Sequence, residues 1–201
     1  VKAILNAVGG VEIELTESEA AYLNATNYIR PAKYRNVKAG THILNGAQAL
    51  GYSRIRKQAK GITPVTPNGK MDDYGRTWRQ RNVINAIFNK AKGTSLPKLM
   101  DMAQTILSKY VTTDLNSQDI IGYMKDVVMM GTMEIYQLQI PMDGYFTTQA
   151  NYQAPGSTTN LGSVILPDMT TNTAALKDFI FKYKGTPGQE YTYGGSTAAP
   201  Q

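Results

Sequence analysis

The longest helical signal in the chain runs from Asp73 to Gly93, in DYGRTWRQRNVINAIFNKAKG. Val83, Ile84, Ile87, Phe88 and Ala91 recur at helical spacing, and Gly93 supplies the stop. A helix with one apolar stripe has to lie on a core, so the fold must offer it a packed surface. The N-terminal half adds a second constraint. At about 100° per residue, Arg76, Arg79 and Gln80 fall on the same side as Val83 and Ile87. Positive side chains in the first turns also occupy the end of the helix dipole that favours anions. Asp73, the expected N-cap, offsets them only in part. An arrangement unfavourable on both counts makes sense if an anionic ligand meets free N–H groups and guanidinium forks there together. Arg81 falls off this face and reads as a solvent residue.

The charge continues upstream. Five of the seven arginines (Arg54, Arg56, Arg76, Arg79 and Arg81) lie between Tyr52 and Ile87. Extending that window to Lys92 collects ten of the 21 basic residues against two of the 15 acids, Asp72 and Asp73. The net charge of +6 is therefore mostly local, and an isoelectric point near 9.4 calls for an anionic partner: nucleic acid, an anionic membrane surface or a phosphorylated ligand. In SRIR, Arg54 and Arg56 stand two apart and point the same way if the chain is extended. A helix that ends near Ser53 would aim both at one point. Four guanidiniums around one site suit a doubly charged group such as pyrophosphate, because each fork binds two oxygens and stays protonated. A solvated basic face on an ordinary loop is the competing reading.

Composition removes several chemistries. With no cysteine and only His42, the chain can build neither a thiolate metal site nor a Cys-His centre, and a multi-histidine zinc site is excluded. His42, in GTHILNG, reads as a structural or loop residue. Asp72 and Asp73 read as a cap and its neighbour in preference to a catalytic carboxylate pair. No apolar run approaches the roughly 18 residues that span a bilayer. The start at Val1 reads as the inside of a domain, so a piece of a longer protein is expected. At 201 residues and 42% hydrophobic the chain suits one domain with an ordinary core.

VKAILNAV reads as the end of a helix stopped by Gly9 and Gly10, and VEIEL as a strand with one wet face. Thr16 and Glu19 have capping-box spacing ahead of a helix, and Asn45 is an N-cap candidate for a short helix carrying Ala47, Leu50 and Gly51. Between Arg30 and Gly40 a polar loop is expected. Gly61, Pro64, Pro67, Asn68 and Gly69 make 57–71 a mobile loop by composition, able to fold over a ligand. Helices are expected in SLPKLMDMAQTILSKYV, NSQDIIGYMKDVVMMG and NTAALKDFIFKYKG, and strands in MEIYQLQIP and GSVILPD. The methionines between Met124 and Met142 read as core filler. The pattern predicts an α/β fold of helices layered on a sheet.

AVGGVEIEL, GTHILNGAQALGYSRIR and DDYGRTWRQRNVINAI resemble, in order and spacing, the later motifs of the LytR-CpsA-Psr family, also known as the cell envelope-related transcriptional attenuator domain. The likeness is specific over the first ninety or so residues and general to about Lys184. It implies a three-layer α/β/α sandwich with a mixed central sheet, apparently without its N-terminal portion. It also implies residues 1–185 as the C-terminal portion of a single domain and 186–201 as a flexible tail. The implied function is a phosphotransferase on the extracytoplasmic face of a bacterial membrane, in a parent anchored by an N-terminal helix not present here. Such an enzyme moves a glycopolymer (teichoic acid, capsule or wall polysaccharide) from a polyprenyl pyrophosphate carrier to a peptidoglycan acceptor. Position by position, the resemblance places Arg54, Arg56 and Arg76 as catalytic, and the same three with Arg79 and Gln80 on the pyrophosphate. Asp73 supports them. Apolar residues of VINAIF and the later helices would line a lipid tunnel. Mg²⁺ or Mn²⁺ is implied, with ligands from the half preceding GGVEIEL, so none is expected in this chain.

Two other classes stay open. A nucleic-acid-binding regulator would suit the charge, but a single-strand reader interleaves aromatics with its arginines, and only Tyr52, Tyr74 and Trp78 qualify; no nucleic acid is therefore expected. A non-catalytic module binding polyprenyl pyrophosphate or glycan fits a chain without the metal half.

Overall fold

The computed structural model describes residues 2–110, 112, 114, 116, 118–120, 122, 123, 126, 134–182, 189 and 191. They fall into two compact units, Val1–Met133 and Glu134–Gln201.

The first unit begins with α1 (Lys2–Ala7), released by Gly9 and Gly10 at positive φ. A side chain at Gly10 would meet the Leu44 carbonyl oxygen at 2.8 Å, so only glycine lets the chain pass beneath the end of β2. Strand β1 (Val11–Leu15) buries Val11, Ile13 and Leu15 and leaves Glu12 and Glu14 exposed, as VEIEL predicts. It pairs antiparallel with β2 (Gly40–Leu44), Val11 opposite Leu44 and Leu15 opposite Gly40. Thr16 caps α2 (Glu17–Ala25) through the expected capping box with Glu19. A 3₁₀ turn covers Ala32–Tyr34 within the expected loop. Asn45 caps α3 (Gly46–Ser53) and completes a second capping box with Gln48. Helices α4 (Asp72–Lys92) and α5 (Leu96–Tyr110) follow. Leu5, Ile13, Leu23, Ile29, Tyr52, Ile55 and Val83 join one buried cluster that brings α1, α2, α3 and α4 onto β1.

Several expectations need correction here. β2 carries no sequence signal, because four of its five residues are exposed and no alternation exists to read. Asp73 is not the N-cap of α4: Met71 holds that position without a side-chain bond, and Asp72 and Asp73 sit in the first turn. The buried stripe is rotated from the expected one, with Gly75, Arg79, Val83 and Ala86 inward and Ile84 50% exposed.

In the second unit β3 (Phe146–Gln149) pairs antiparallel with β4 (Val164–Pro167). β4 is the strand expected in GSVILPD, β3 lies outside the expected strands, and the described residues 134–141 of MEIYQLQIP show no strand but a single bridge at Gln137. Helix α6 (Met169–Phe181) starts earlier than expected because Asp168 caps it, accepting from the Thr171 amide. The Thr171 hydroxyl, which donates to Asp168 Oδ2, and the Thr171 amide hold the Asp168 carboxyl below its ordinary range. Asn172 is buried and takes the Met142 amide while donating to the Tyr145 and Asp168 carbonyls. The helix expected in NSQDIIGYMKDVVMMG is described only in part. The tail 186–201 lies, but for Gln189 and Tyr191, outside the described residues.

The class is mixed α/β, as expected, and the sheets seen among the described residues are two antiparallel pairs. No described helix is long and apolar enough to cross a membrane.

Candidate functional site

Helix α3 ends at Ser53, and Arg54 follows as its C-cap. Ile55 then turns fully into the core, which leaves Arg54 and Arg56 exposed on either side of it. Arg54 keeps helical backbone angles (φ −103°, ψ −8°), so its exposure does not arise from the extended chain that the two-residue spacing presupposes.

Helix α4 presents two stripes. Asp73, Arg76 and Gln80 run along its more open side at i, i+3 and i+7, while Gly75, Arg79 and Val83 run along its buried side. Asp73 Oδ1 lies 3.0 Å from Arg56 Nε and 2.7 Å from Arg76 Nη2. One carboxylate oxygen thus draws together a guanidinium from the segment after α3 and another from the start of α4. All three side chains stay open, with 45% (Arg56), 51% (Asp73) and 37% (Arg76) exposed. Two positive charges against one negative leave the cluster cationic, so it aligns two forks without neutralising them. Arg54 has no side-chain ion pair or hydrogen bond among the described residues. Gln80 is exposed one turn beyond Arg76.

Arg79, expected beside them, sits elsewhere: its side chain is wholly buried. Nε donates to Glu19 Oε1 at 2.7 Å, Nη1 to the Ile55 carbonyl at 3.3 Å and Nη2 to the Pro64 carbonyl at 3.0 Å. A fork sealed from solvent offers no donor to a ligand there. Glu19, a residue read only as part of a cap, accepts the Thr16 amide with Oε2 and Arg79 with Oε1. Burial pushes its carboxyl above the ordinary range, against the pull of the Thr16 amide and Arg79. The signal for Arg79 was present, since the helical wheel puts it on the core side. Its partner, 60 residues upstream, was not legible.

Tyr52 lies at the back of the site, fully buried, and its hydroxyl accepts from Asn82 Nδ2 at 3.1 Å, tying α3 to α4. Burial raises this phenol's pKa, so it stays protonated at any physiological pH. Arg81 is half-buried and engaged, which corrects the solvent reading. Asp72 is exposed, with φ of 48° in the left-handed region. His42 stands on β2 with its ring Nε2 3.0 Å from the Ala39 carbonyl.

The loop joining the two arginine motifs has no helix or strand of its own, as its Gly and Pro content requires. Its second half is nonetheless anchored. Thr16 Oγ1 donates to the Val65 carbonyl at 2.8 Å, the Val65 amide to Ser18 Oγ at 3.0 Å and the Lys70 amide to Thr66 Oγ1 at 2.8 Å. A lid spanning the whole of 57–71 does not fit these bonds. A divalent ion also lacks a donor set: among the described residues no three His, Cys, Asp or Glu side chains group to hold a metal. Asp73 is already shared by two guanidiniums that an ion would have to displace.

Known proteins resemble the chain as follows. The family model described as LytR_cpsA_psr family matches residues 1–164. The polyisoprenyl-teichoic acid–peptidoglycan teichoic acid transferase TagU of Enterococcus faecalis is 31% identical over 157 residues, 76% of this chain and 43% of its own length. Regulatory protein MsrR of Staphylococcus aureus is 28% identical over 149 residues, 72% of this chain and 39% of its own. The chain therefore spans less than half the length of these relatives. In fold it is similar to the crystal structure of Lin1025 from Listeria innocua, with a TM-score of 0.51 at 22% identity, covering 89% of this chain and 63% of that one. With its sequence motifs and its fold both matched, the chain belongs to the LytR_cpsA_psr family.

Proposed function

We propose that the protein carrying this chain is an extracytoplasmic phosphotransferase that moves a glycopolymer from a polyprenyl pyrophosphate carrier onto peptidoglycan. The single observation that carries the reading is Asp73, which aligns Arg56 and Arg76 on the open side of α4, with Arg54 exposed two residues before Arg56. Three forks and the Gln80 amide would bind the non-bridging oxygens of the pyrophosphate. A hydroxyl oxygen of the acceptor would attack the phosphorus that bears the glycan. The bond to the bridging oxygen breaks, polyprenyl phosphate leaves, and the hydroxyl proton passes to the leaving phosphate or to solvent. Charge spreads over the phosphoryl oxygens in that step, and fixed guanidiniums stabilise it more than the ground state. The transferase name of TagU supports the substrate class. Residues 1–185 would serve as the C-terminal portion of the catalytic domain. Any Mg²⁺ or Mn²⁺, and a membrane anchor, would come from other parts of the parent protein, and no step above is routed through the metal.

The test is a transfer assay with a polyprenyl pyrophosphate-linked glycan and peptidoglycan. Arg54→Ala and Arg76→Ala should each lower the rate about 30- to 150-fold or more, the equivalent of losing roughly 2–3 kcal/mol of charge-assisted contact in the transition state. Lys90→Ala, at the far end of α4, should leave it unchanged. Tight duplex DNA binding that weakens steeply with salt, without any transfer, would overturn the assignment in favour of a regulator.

A further inference from the structure

We propose that Arg79 is a positioning residue: from inside the core it sets where Arg54 and Arg56 stand relative to Arg76, without touching the ligand. The inference rests on the pyrophosphate reading above and deepens it. The Ile55 carbonyl that Arg79 Nη1 holds at 3.3 Å belongs to the residue between Arg54 and Arg56. Its Nη2 holds the Pro64 carbonyl at 3.0 Å, next to Val65, which Thr16 and Ser18 secure. Its Nε is fixed by Glu19 on α2. The same residue is one turn along α4 from Arg76. A single planar group, which holds three acceptors in fixed directions, therefore connects both arginine motifs to the core.

Gly75 provides an independent observation. A Cβ at that position would lie 2.9 Å from Arg79 Nη1 and 3.0 Å from the Lys70 carbonyl oxygen. The glycine, unfavourable in a helix interior, leaves the space that the guanidinium fills. Gly75→Ala therefore perturbs the fork while keeping every charge of the site, and its higher helix propensity works against unfolding. Arg79→Lys keeps the pair with Glu19 but has no planar fork to reach both carbonyls.

The experiment uses ¹⁵N-labelled chain and follows the arginine Nε–Hε signals, with sodium pyrophosphate as the probe. In the unsubstituted chain, pyrophosphate should shift the signals of Arg54, Arg56 and Arg76 and leave that of Arg79 in place. In Arg79→Lys and Gly75→Ala, with the hydrogen-bonded amides of the β1–β2 pair still protected from exchange, Arg54 and Arg56 should lose order. Their heteronuclear NOE values should drop before any ligand is added, and pyrophosphate affinity should fall by about tenfold or more. An Arg79 signal that moves as far as that of Arg54 would make it a ligand and overturn the proposal. So would folded variants in which Arg54 and Arg56 keep their order, or loss of core protection in both variants, since the pair would then serve the fold alone. If the unsubstituted chain does not bind pyrophosphate, the ligand role given above to Arg54, Arg56 and Arg76 in this chain fails, and the order of Arg54 and Arg56 in the unliganded variants still decides the positioning role.

Discussion

Arg76 and Arg79 share one helix and each has a guanidinium nitrogen 2.7 Å from a carboxylate, the first on Asp73 and the second on Glu19. The first pair is open, with 37% of Arg76 and 51% of Asp73 exposed, whereas the second is sealed from solvent. In water-accessible surroundings an ion pair contributes roughly 0–1 kcal/mol, because solvent screens it and both side chains lose entropy. In a buried pair, leaving one charge without its partner costs roughly 3–5 kcal/mol. Equal distances thus describe unequal roles. The open stripe of α4 keeps its charge available to a ligand, and the closed stripe spends its charge on internal acceptors. Three residues of helix separate them, about 300° of rotation.

The largest effect should come from breaking the closed stripe. Arg79→Met leaves the Glu19 carboxyl and two backbone carbonyls buried without their donor, and urea unfolding should report a loss of roughly 3–5 kcal/mol at neutral pH. Arg76→Met should change stability by less than about 1 kcal/mol. The pH profile sharpens the contrast. Burial sets the folded Glu19 pKa above its ordinary value of 4.5, so the native state holds the proton more tightly than the unfolded chain does. Stability from this group is full below that value and declines as pH rises through the raised one. Without Arg79 the carboxyl keeps its proton to higher pH still, so the penalty of Arg79→Met should shrink in acid. Glu19→Gln should flatten the wild-type decline, and an unchanged slope in that variant would place its origin in another group.

An intermediate effect is expected where α4 meets α3. Asn82→Ala removes the donor to the Tyr52 hydroxyl, which is enclosed with its ring. An unsatisfied buried hydroxyl costs about 1–3 kcal/mol. Thermal unfolding of Asn82→Ala against a Tyr52→Phe/Asn82→Ala double variant should show the double variant recovering part of the loss. Equal loss in both would mean the packing of Asn82, and not its hydrogen bond, carries the tie.

What the sequence made legible was local. Gly9–Gly10, Thr16 with Glu19, Asn45 and the VEIEL alternation each act within a few residues, and each element they specify is present. The failures are cases where the partner lies far along the chain or the pattern is missing. β2 is identified by its register against β1, since GTHIL alternates nothing. Asp73 resembled an N-cap by residue type, but the helix already includes it, and its carboxylate is occupied by Arg56, seventeen residues upstream, and by Arg76. The helical wheel put Arg79 on the core side, and an arginine there admits two explanations: a ligand reached from outside or a carboxylate reached from inside. Only the position of Glu19 chooses between them. The anchoring of Val65 by Thr16 and Ser18 was hidden for the same reason.

The smallest effect on the fold should come from Gln80, and it is the one that best isolates the open stripe. Its side chain is exposed, one turn beyond Arg76, on neither the Glu19 nor the Tyr52 side of the helix. Removing it exposes no cavity and orphans no buried donor, so Gln80→Ala should leave stability within about 0.5 kcal/mol. If the stripe Asp73–Arg76–Gln80 faces a phosphate, the amide N–H contributes one hydrogen bond to a charged acceptor but, unlike a guanidinium, brings no positive charge of its own. Pyrophosphate affinity should then fall by about 3- to 10-fold, less than for Arg76→Ala, and isothermal calorimetry at fixed ionic strength measures both on one scale. Gln80→Glu should weaken binding further, because a carboxylate repels the anion where the amide donates to it. Affinity that ignores both changes would confine the ligand to Arg54, Arg56 and the first turn of α4, and would leave Gln80 on an ordinary solvated surface.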